Sequence, residues 1–346
     1  MTPRKQLDAP TLQQVANQAG VSPATVSRVL NGYPHVRADV RQRVLDAIAK
    51  LEYRPNRVAQ RLRGNHSRLI GIVVTDITNP FFSTIMASIE QVFFEYGYSV
   101  LMSNTSADIR KELDYLNMME NEGVAGLIVA PTSENVKRVV EMAEGGLPLV
   151  VIDRRLKNSE ARHLDMVLAD NTEGAYRAVN HLIRLGHKRV GLIGGPQHLT
   201  SGRERLEGYH MAMREAGLPV LEEWVQLGDH RSDSGFALMN KLLECRSPIT
   251  AVFTGNNMMT LGALNALHMK GKRIPQEMAI VGFDDMEWST SLNPPLTAVS
   301  QSTAEMGVQA AKLLLERIAE PILPMRAVTL KTELRVRQSC GSGMSV

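Results

Sequence analysis

The sequence predicts an α/β protein with a small head of three helices, a short linking helix, and two doubly wound lobes, each built on a parallel sheet. Three observations carry this reading. Apolar residues recur at helical spacing through the amino-terminal segment, with capping residues at each break. From Leu69 onward, strand-like runs alternate with helical stretches, and the scheme occurs twice. Charge divides at the same place: residues 1–67 hold 11 Lys and Arg against 4 Asp and Glu, whereas the remainder holds 28 against 32. A basic head on a neutral-to-acidic body is the footprint of polyanion binding.

In the head, Thr11 caps a helix, Gln14 completes a capping box, and Leu12, Val15, Ala16 and Ala19 form one apolar stripe. Gly20 ends that helix, and Ser22-Pro23 supplies the next cap with proline at the first helical position. The second helix, Pro23 to Leu30, turns Val26, Val29 and Leu30 to one face and leaves Ala24, Thr25, Ser27 and Arg28 to point outward. A third helix from Val40 to Tyr53 closes the core through Val40, Val44, Leu45, Ile48 and Leu51. Pro55 then breaks the chain, Asn56 caps a two-turn helix, and Gly64 ends it; a helix that short is marginal alone in water.

The first two helices form a helix-turn-helix pattern. A helix entering a DNA major groove about 12 Å wide needs small leading residues and one long donor among them. Arg28 is that donor, able to reach O6 and N7 of one guanine, while Thr25 and Ser27 suit phosphates, which fix register without reading sequence.

Thr11-Leu12-Gln13-Gln14-Val15-Ala16, the run from Gly20 to Asn31, and the segment from Tyr53 to Leu62 together resemble the lactose repressor/galactose repressor family of bacterial transcription regulators, over nearly the whole chain. The resemblance implies an allosteric, sequence-specific repressor that binds double-stranded, palindromic operator DNA as a homodimer, with a periplasmic-binding-protein-like core for a small polar effector. It places DNA contacts at Thr11, Ser22, Pro23, Ala24, Thr25, Ser27, Arg28 and Asn31 in the head, and at Asn56, Arg57, Ala59, Leu62 and Arg63 in the hinge. In the family the hinge helix folds on the operator and its leucine, here Leu62, wedges into the minor groove; partial unstacking bends the duplex and opens contacts for flanking arginines. Two positions depart from the family pattern. Arg37 stands where a Ser or Thr normally caps the third helix, and Pro23 occupies a position that chooses bases. The alternative is a sugar-binding module without specific DNA binding.

The expected domains are a helix-turn-helix unit over 1–55, a hinge and linker over 56–67, and a two-lobe effector-binding and dimerisation core over 68–340. Strands are read at Leu69–Val74, Tyr98–Ser103, Leu127–Ala130 and Leu149–Ile152, then at Arg189–Ile193, Val225–Leu227, Ala251–Phe253 and Ile280–Phe283. Helices begin near Phe81, Ile109, Ser133, Thr172, Ser201, Ser232 and Asn257. The resemblance implies three crossings between lobes, placed near Asp170, Ser300 and Val328. Lobe one is then about 68–169 with 300–327, including a helix Thr303–Ala319, and lobe two about 170–299 with 328–340.

Other classes are excluded by what the sequence lacks. There is no eighteen-residue apolar run and no signal-like amino terminus, so no membrane is expected and a cytoplasmic protein is. Cys245 and Cys340 are too few for a disulfide framework, and the tail after Gln338 lacks the leucine heptads of a coiled coil. Gly191-Leu192-Ile193-Gly194-Gly195 has the wrong spacing for a dinucleotide fingerprint, and no nucleophile elbow occurs. His181 and His187, or His198 and His210, lack the spacing of a zinc helix. An enzyme, a cofactor and a metal site are therefore not expected.

Small ligands of doubly wound lobes bind outside the carboxyl ends of the strands. In the first lobe the family resemblance implies Asp76, Asn79 and Phe81, with Phe82 turned into the core, and the strand-end position points to the pair Asp153-Arg154, for which a plain salt bridge is the alternative. In the second lobe the resemblance implies Arg205 as the principal contact, with Arg203 a solvated charge, and adds His230, Asn256 and Asp284. His230 could equally be an exposed loop histidine. Asn257 stands where the family often has an acid, and Asp285 is expected to cap the turn after Asp284. Trp288 either stacks on the ligand from the rim or is buried as structure. Acids, amides and arginines of this kind suit a polyol, so a sugar or sugar derivative is the expected effector.

Overall fold

Thr11 accepts the Gln14 N–H at 3.3 Å and its own N–H donates to the Gln14 side chain at 2.7 Å, so a reciprocal capping box opens α1, Leu12–Ala19. The computed structural model describes residues 10–30, 33, 35–51, 67–133, 137–156 and 164–342, in two units divided between Ser67 and Arg68. Gly20 takes φ 66°, a left-handed conformation that costs a residue without Cβ little, and turns the chain into α2, Pro23–Leu30. There Ser22 Oγ accepts the Thr25 N–H at 3.2 Å. The third helix, α3, spans Ala38–Lys50, starting two residues before the expected Val40. Its cap position holds Arg37, which makes no capping bond and pairs instead with Asp39 at 3.1 Å.

Val15, Ala16, Ala19, Val26, Val29, Val44 and Ala47 are buried together as the core of the head. Leu45, expected inside, is 46% exposed. At 100° per residue it falls beyond the edge of the stripe set by Val40, Val44, Ala47 and Leu51, and Ala47 takes the inward place. The hinge positions Asn56, Arg57, Ala59, Leu62 and Arg63, and Asn31 in the head, lie outside the described residues.

The second unit holds two six-stranded sheets. The first contains β1 (Leu69–Val74), β2 (Ser99–Asn104), β3 (Gly126–Val129), β4 (Leu149–Ile152) and β5 (Asp165–Ala169), in the order 11-5-4-3-1-2, with β11 (Ala327–Leu330) parallel to β5. The second contains β6 (Val190–Gly194), β7 (Val225–Leu227), β8 (Ala251–Thr254), β9 (Ala279–Phe283) and β10 (Thr297–Gln301), in the order 12-10-9-8-6-7. Its edge strand β12 (Thr332–Arg335) runs antiparallel to β10, the one departure from an all-parallel reading among the described strands. Helices cover both faces, so the strands read as continuous apolar runs; in β1, Ile70, Ile72 and Val74 join one core and Val73 the other.

The crossover helices of the first lobe are α4 (Pro80–Glu95), α5 (Ile109–Asn121) and α6 (Lys137–Glu144). Those of the second are α7 (Asn171–Arg184), α8 (Thr200–Glu215), α9 (Ser232–Leu243) and α10 (Asn257–Met269). The last helix, α11 (Thr303–Ala319), packs on α4 of the first lobe.

Strands β5, β10, β11 and β12 were not anticipated from the sequence. The pairing also corrects the expected crossing near Val328: the chain stays in the first sheet through Leu330 and enters the second at Thr332. Asp165 explains this, because its buried carboxylate accepts from the Arg326 backbone N–H at 2.9 Å and holds the start of β11 against β5.

Candidate functional site

In both sheets the chain order reverses beside the first strand, β1 or β6, so the loops leaving neighbouring strand ends diverge and open a crevice there. The two crevices face one another as a cleft of about 550 Å³. Among the described residues, the non-glycine positions with positive φ are Ser106, Ala107, Asp153, His230 and Asp284, and all five line this cleft. Backbone held in a sparsely populated region gathers where a site needs side chains aimed against local preference.

Nine of the ten residues expected at an effector site line the cleft: Asp76, Asn79, Phe81, Asp153, Arg154, Arg205, His230, Asn256 and Asp284. Trp288 does not; it packs half-buried against the apolar core of the second lobe, the structural alternative. Phe82, assigned to the core, is buried there yet also reaches the cleft wall, edge-on to Phe81 with ring centroids 5.0 Å apart and planes at 82°. Asp285 does not cap the following turn; it receives both arms of Arg337 at 2.8 Å. Gln301, at the carboxyl end of β10, was missed and lies against Asp284.

Arg205 is fixed on three sides. Its Nε donates to Asn171 Oδ1 at 2.9 Å, a terminal nitrogen donates to the Gly255 carbonyl at 2.6 Å, and its plane lies over the Phe283 ring. Asp284 is 4% exposed and accepts from Gln301 and from the Asn257 backbone N–H. Burial raises its pKa above the usual carboxylate range, against the pull of Arg205. In the other lobe, Arg154 is 6% exposed, lies 3.4 Å from Asp153, and donates to the Pro131 carbonyl. Burial lowers its pKa, with Asp153 and Glu112 opposing. Glu112 sits behind the floor, accepts the Thr132 N–H, and has its own pKa raised by burial.

His230 Nε2 is shielded from solvent and makes no hydrogen bond, as do Arg154 Nε and Gln301 Oε1. Burial, then the charges of Arg205 and Arg154, hold the imidazole pKa well below its ordinary value, so it is neutral near pH 7. Gly195 makes room for it, since any side chain there would collide with the ring. Asn256 Nδ2 donates to the His230 carbonyl at 3.1 Å, and its Oδ1 caps α10 by accepting the Met259 N–H at 2.9 Å. His230 Nε2, Arg154 Nε and Gln301 Oε1 all belong to residues that line the cleft, and Arg154 Nε keeps only its 3.4 Å ion pair with Asp153.

In the head, Thr11, Ser22, Ala24 and Arg28 are exposed, while Pro23, Thr25 and Ser27 are half-buried. Val26 and Val29 turn inward and leave Ala24 and Arg28 on the solvent face of α2.

Residues 11–56 match the bacterial regulatory proteins of the lacI family, and residues 67–335 match the periplasmic binding proteins and sugar binding domain of LacI family. The chain belongs to the LacI family. It is thus a DNA-binding transcription regulator with an effector-binding domain, not an enzyme, which sets aside the reading without DNA binding. It is 39% identical over 309 residues to the HTH-type transcriptional repressor PurR of Actinobacillus pleuropneumoniae, spanning 89% of this chain and 91% of that one. Among solved LacI-type structures, it is similar to the lac repressor dimer bound to operator and the anti-inducer ONPF (TM-score 0.83, 30% identity, 96% and 99% coverage). It is also similar to the transcriptional regulator CelR in complex with cellobiose (TM-score 0.73, 33% identity, 95% and 99% coverage). No described helix is long and apolar enough to cross a membrane.

Proposed function

We propose that this LacI-family chain is a cytoplasmic repressor that grips a palindromic operator as a homodimer and responds to a neutral, hydroxyl-rich effector of the carbohydrate class bound between the lobes. The observation that carries the effector class is the charge balance of the floor. Arg154 with Asp153, and Arg205 with Asp284, bring two buried guanidiniums and two buried carboxylates into one cleft. Hydroxyl groups can donate to the acids and accept from the arginines, so a polyol satisfies both without adding charge. A phosphate or carboxylate would instead meet Asp153 and Asp284 in a poorly solvated site. Phe81 and Phe82 stand edge to face on the cleft wall and offer an apolar surface for ring C–H groups.

Two recognition helices would occupy successive major grooves, with Leu62 of each hinge in the minor groove between them. Effector binding shifts the balance between lobe arrangements and hence the spacing of the hinges.

The decisive experiment is a thermal-shift panel of neutral sugars, sugar phosphates and nucleobases on the full chain. A neutral sugar at a hundred times its Kd should stabilise the fold by about 2.7 kcal/mol. Stabilisation by the phosphates or bases alone overturns the neutral-polyol assignment. Removing residues 1–64 should abolish operator binding and keep the sugar-induced shift.

A further inference from the structure

Asn257 does not line the cleft, yet it holds one residue from each lobe that does. Its Nδ2 donates to Asn79 Oδ1 at 2.8 Å, and Asn79 Nδ2 donates back to Asn257 Oδ1 at 3.2 Å, a cyclic amide pair joining the first turn of α10 to the cap of α4. The two side chains are 1% and 7% exposed. The bonds extend outward on both sides. Asn79 Oδ1 also accepts the Phe81 N–H at 3.0 Å, and the Asn257 backbone N–H donates to Asp284 Oδ2 at 3.4 Å. Asp284 in turn accepts from Gln301. A continuous line thus runs from Phe81 in the first lobe to Gln301 in the second, and Asn257 is its crossing point.

We propose that Asn257 is a positioning residue for the effector, tying the aromatic wall of the first lobe to the acid of the second so that closing the lobes and arranging the polar floor are one event. An amide is the side chain that can do this, because the pair needs one donor and one acceptor from each member. A carboxylate at 257 could accept from Asn79 but not donate back, and would place a second negative charge beside Asp284. Buried amide N–H groups left unpaired are unfavourable, so each of the two bonds supports the other. The role rests on the reading of the cleft as an effector site, but the structural coupling does not.

The test is hydrogen–deuterium exchange on the full chain without added ligand, comparing the native protein with Asn257→Ala and Asn257→Asp. With Asn257→Ala, amides near residues 79–83 of the first lobe and 257–260 of the second should both exchange about tenfold faster, while exchange in the head stays unchanged. Asn257→Asp keeps one of the two bonds and should give a smaller rise in both segments. Acceleration confined to 257–260, or absent from both segments, overturns the proposal, because a local packing role would not reach the opposite lobe. Should Asn257→Ala fail to fold, the Asn257→Asp comparison decides by the same pair of segments. A failed sugar panel would sink the effector class and leave this result standing.

Discussion

The Arg205 guanidinium lies over the face of Phe283, its Cζ 3.8 Å from the ring centroid, while two of its nitrogens are spent on Asn171 and Gly255. Phe283 ends β9, and the next residue is Asp284, so a ring from the sheet's core sets the height of the arginine above the acid it faces. The stack requires a plane, and the two bonds require a fork. Lysine supplies neither.

Arg205→Lys should therefore behave almost like Arg205→Ala. Each should weaken binding of the sugar identified by thermal shift by roughly 2–3 kcal/mol, as expected for loss of charge-assisted hydrogen bonds and a stacked cation. Isothermal titration gives the affinity, and near-ultraviolet circular dichroism checks that the lobe remains folded. Native affinity in the lysine variant would show that charge alone suffices and that the fork is idle.

A different arginine pair holds the first lobe together. Asp165 is fully buried and accepts from Arg317 at 2.8 and 2.9 Å and from Arg326 at 2.8 Å, so one carboxylate joins β5, α11 and the entry to β11. Burial raises the Asp165 pKa, but the bonds from the two arginines outweigh it and the net direction is down. Asp165→Ala leaves Arg317 buried without its partner and should cost about 3–5 kcal/mol in urea unfolding at pH 7. Because the folded pKa lies below the unfolded one, this stabilisation is present above the unfolded value and is lost as pH falls through the folded one. The gap between native and variant proteins should narrow in acid; a constant gap would mean the carboxylate's charge contributes nothing.

The strands that could be read from sequence are those covered on both faces. Leu69–Val74 and Ala279–Phe283 are unbroken apolar runs because helices pack on each side of them. The strands that escaped notice carry polar residues for reasons visible only in three dimensions. Asp165 begins β5 because two arginines from distant segments neutralise it, and β11 and β12 are edge strands with one face toward solvent. The same gap explains the missed site residue: with β10 unread, nothing marked Gln301 as standing at a strand's carboxyl end. Asp153 was legible because it directly follows a readable strand, whereas Arg205, inside the helix Thr200–Glu215, and Asp284 were reached only through the family resemblance. Trp288 was not decidable, since an indole beside a site and an indole packed on a core look alike in one dimension.

Cys340 offers a pH effect of the same origin in a higher pH window. Its thiol is fully buried, which alone would raise the pKa, but it lies 3.3 Å from His181 Nε2 and 3.2 Å from both the Thr297 and Ser342 hydroxyls, and these bonds bring it down to about 7. The folded state therefore releases this proton before the unfolded state does. Stability is gained as pH climbs from about 7 toward the free-thiol value and is lost as pH falls back through about 7. Chemical unfolding at pH 7 and pH 9 should show the native protein gaining on the order of 1–3 kcal/mol over Cys340→Ser across that window. A difference that does not change with pH would mean the thiol stays protonated in the fold.

Arg28 tests the other end of the chain. Ser22 fixes the first turn of α2 by accepting the Thr25 N–H, and Val26 and Val29 are buried against α1 and α3, so the helix cannot rotate about its own axis. Arg28 is left on the exposed face with Ala24 one turn earlier, where a small residue lets the backbone approach DNA. The proposed role, reading one base pair through a bidentate contact, differs from that of an arginine on phosphate, which would raise affinity for every sequence alike. Arg28→Ala, assayed by selection from a randomised duplex pool, should lose preference at one position in each half-site, with a cost of about 1–3 kcal/mol there and intact preference elsewhere. A uniform loss across all sequences, accompanied by a shallower dependence of binding on salt, would instead assign Arg28 to the backbone.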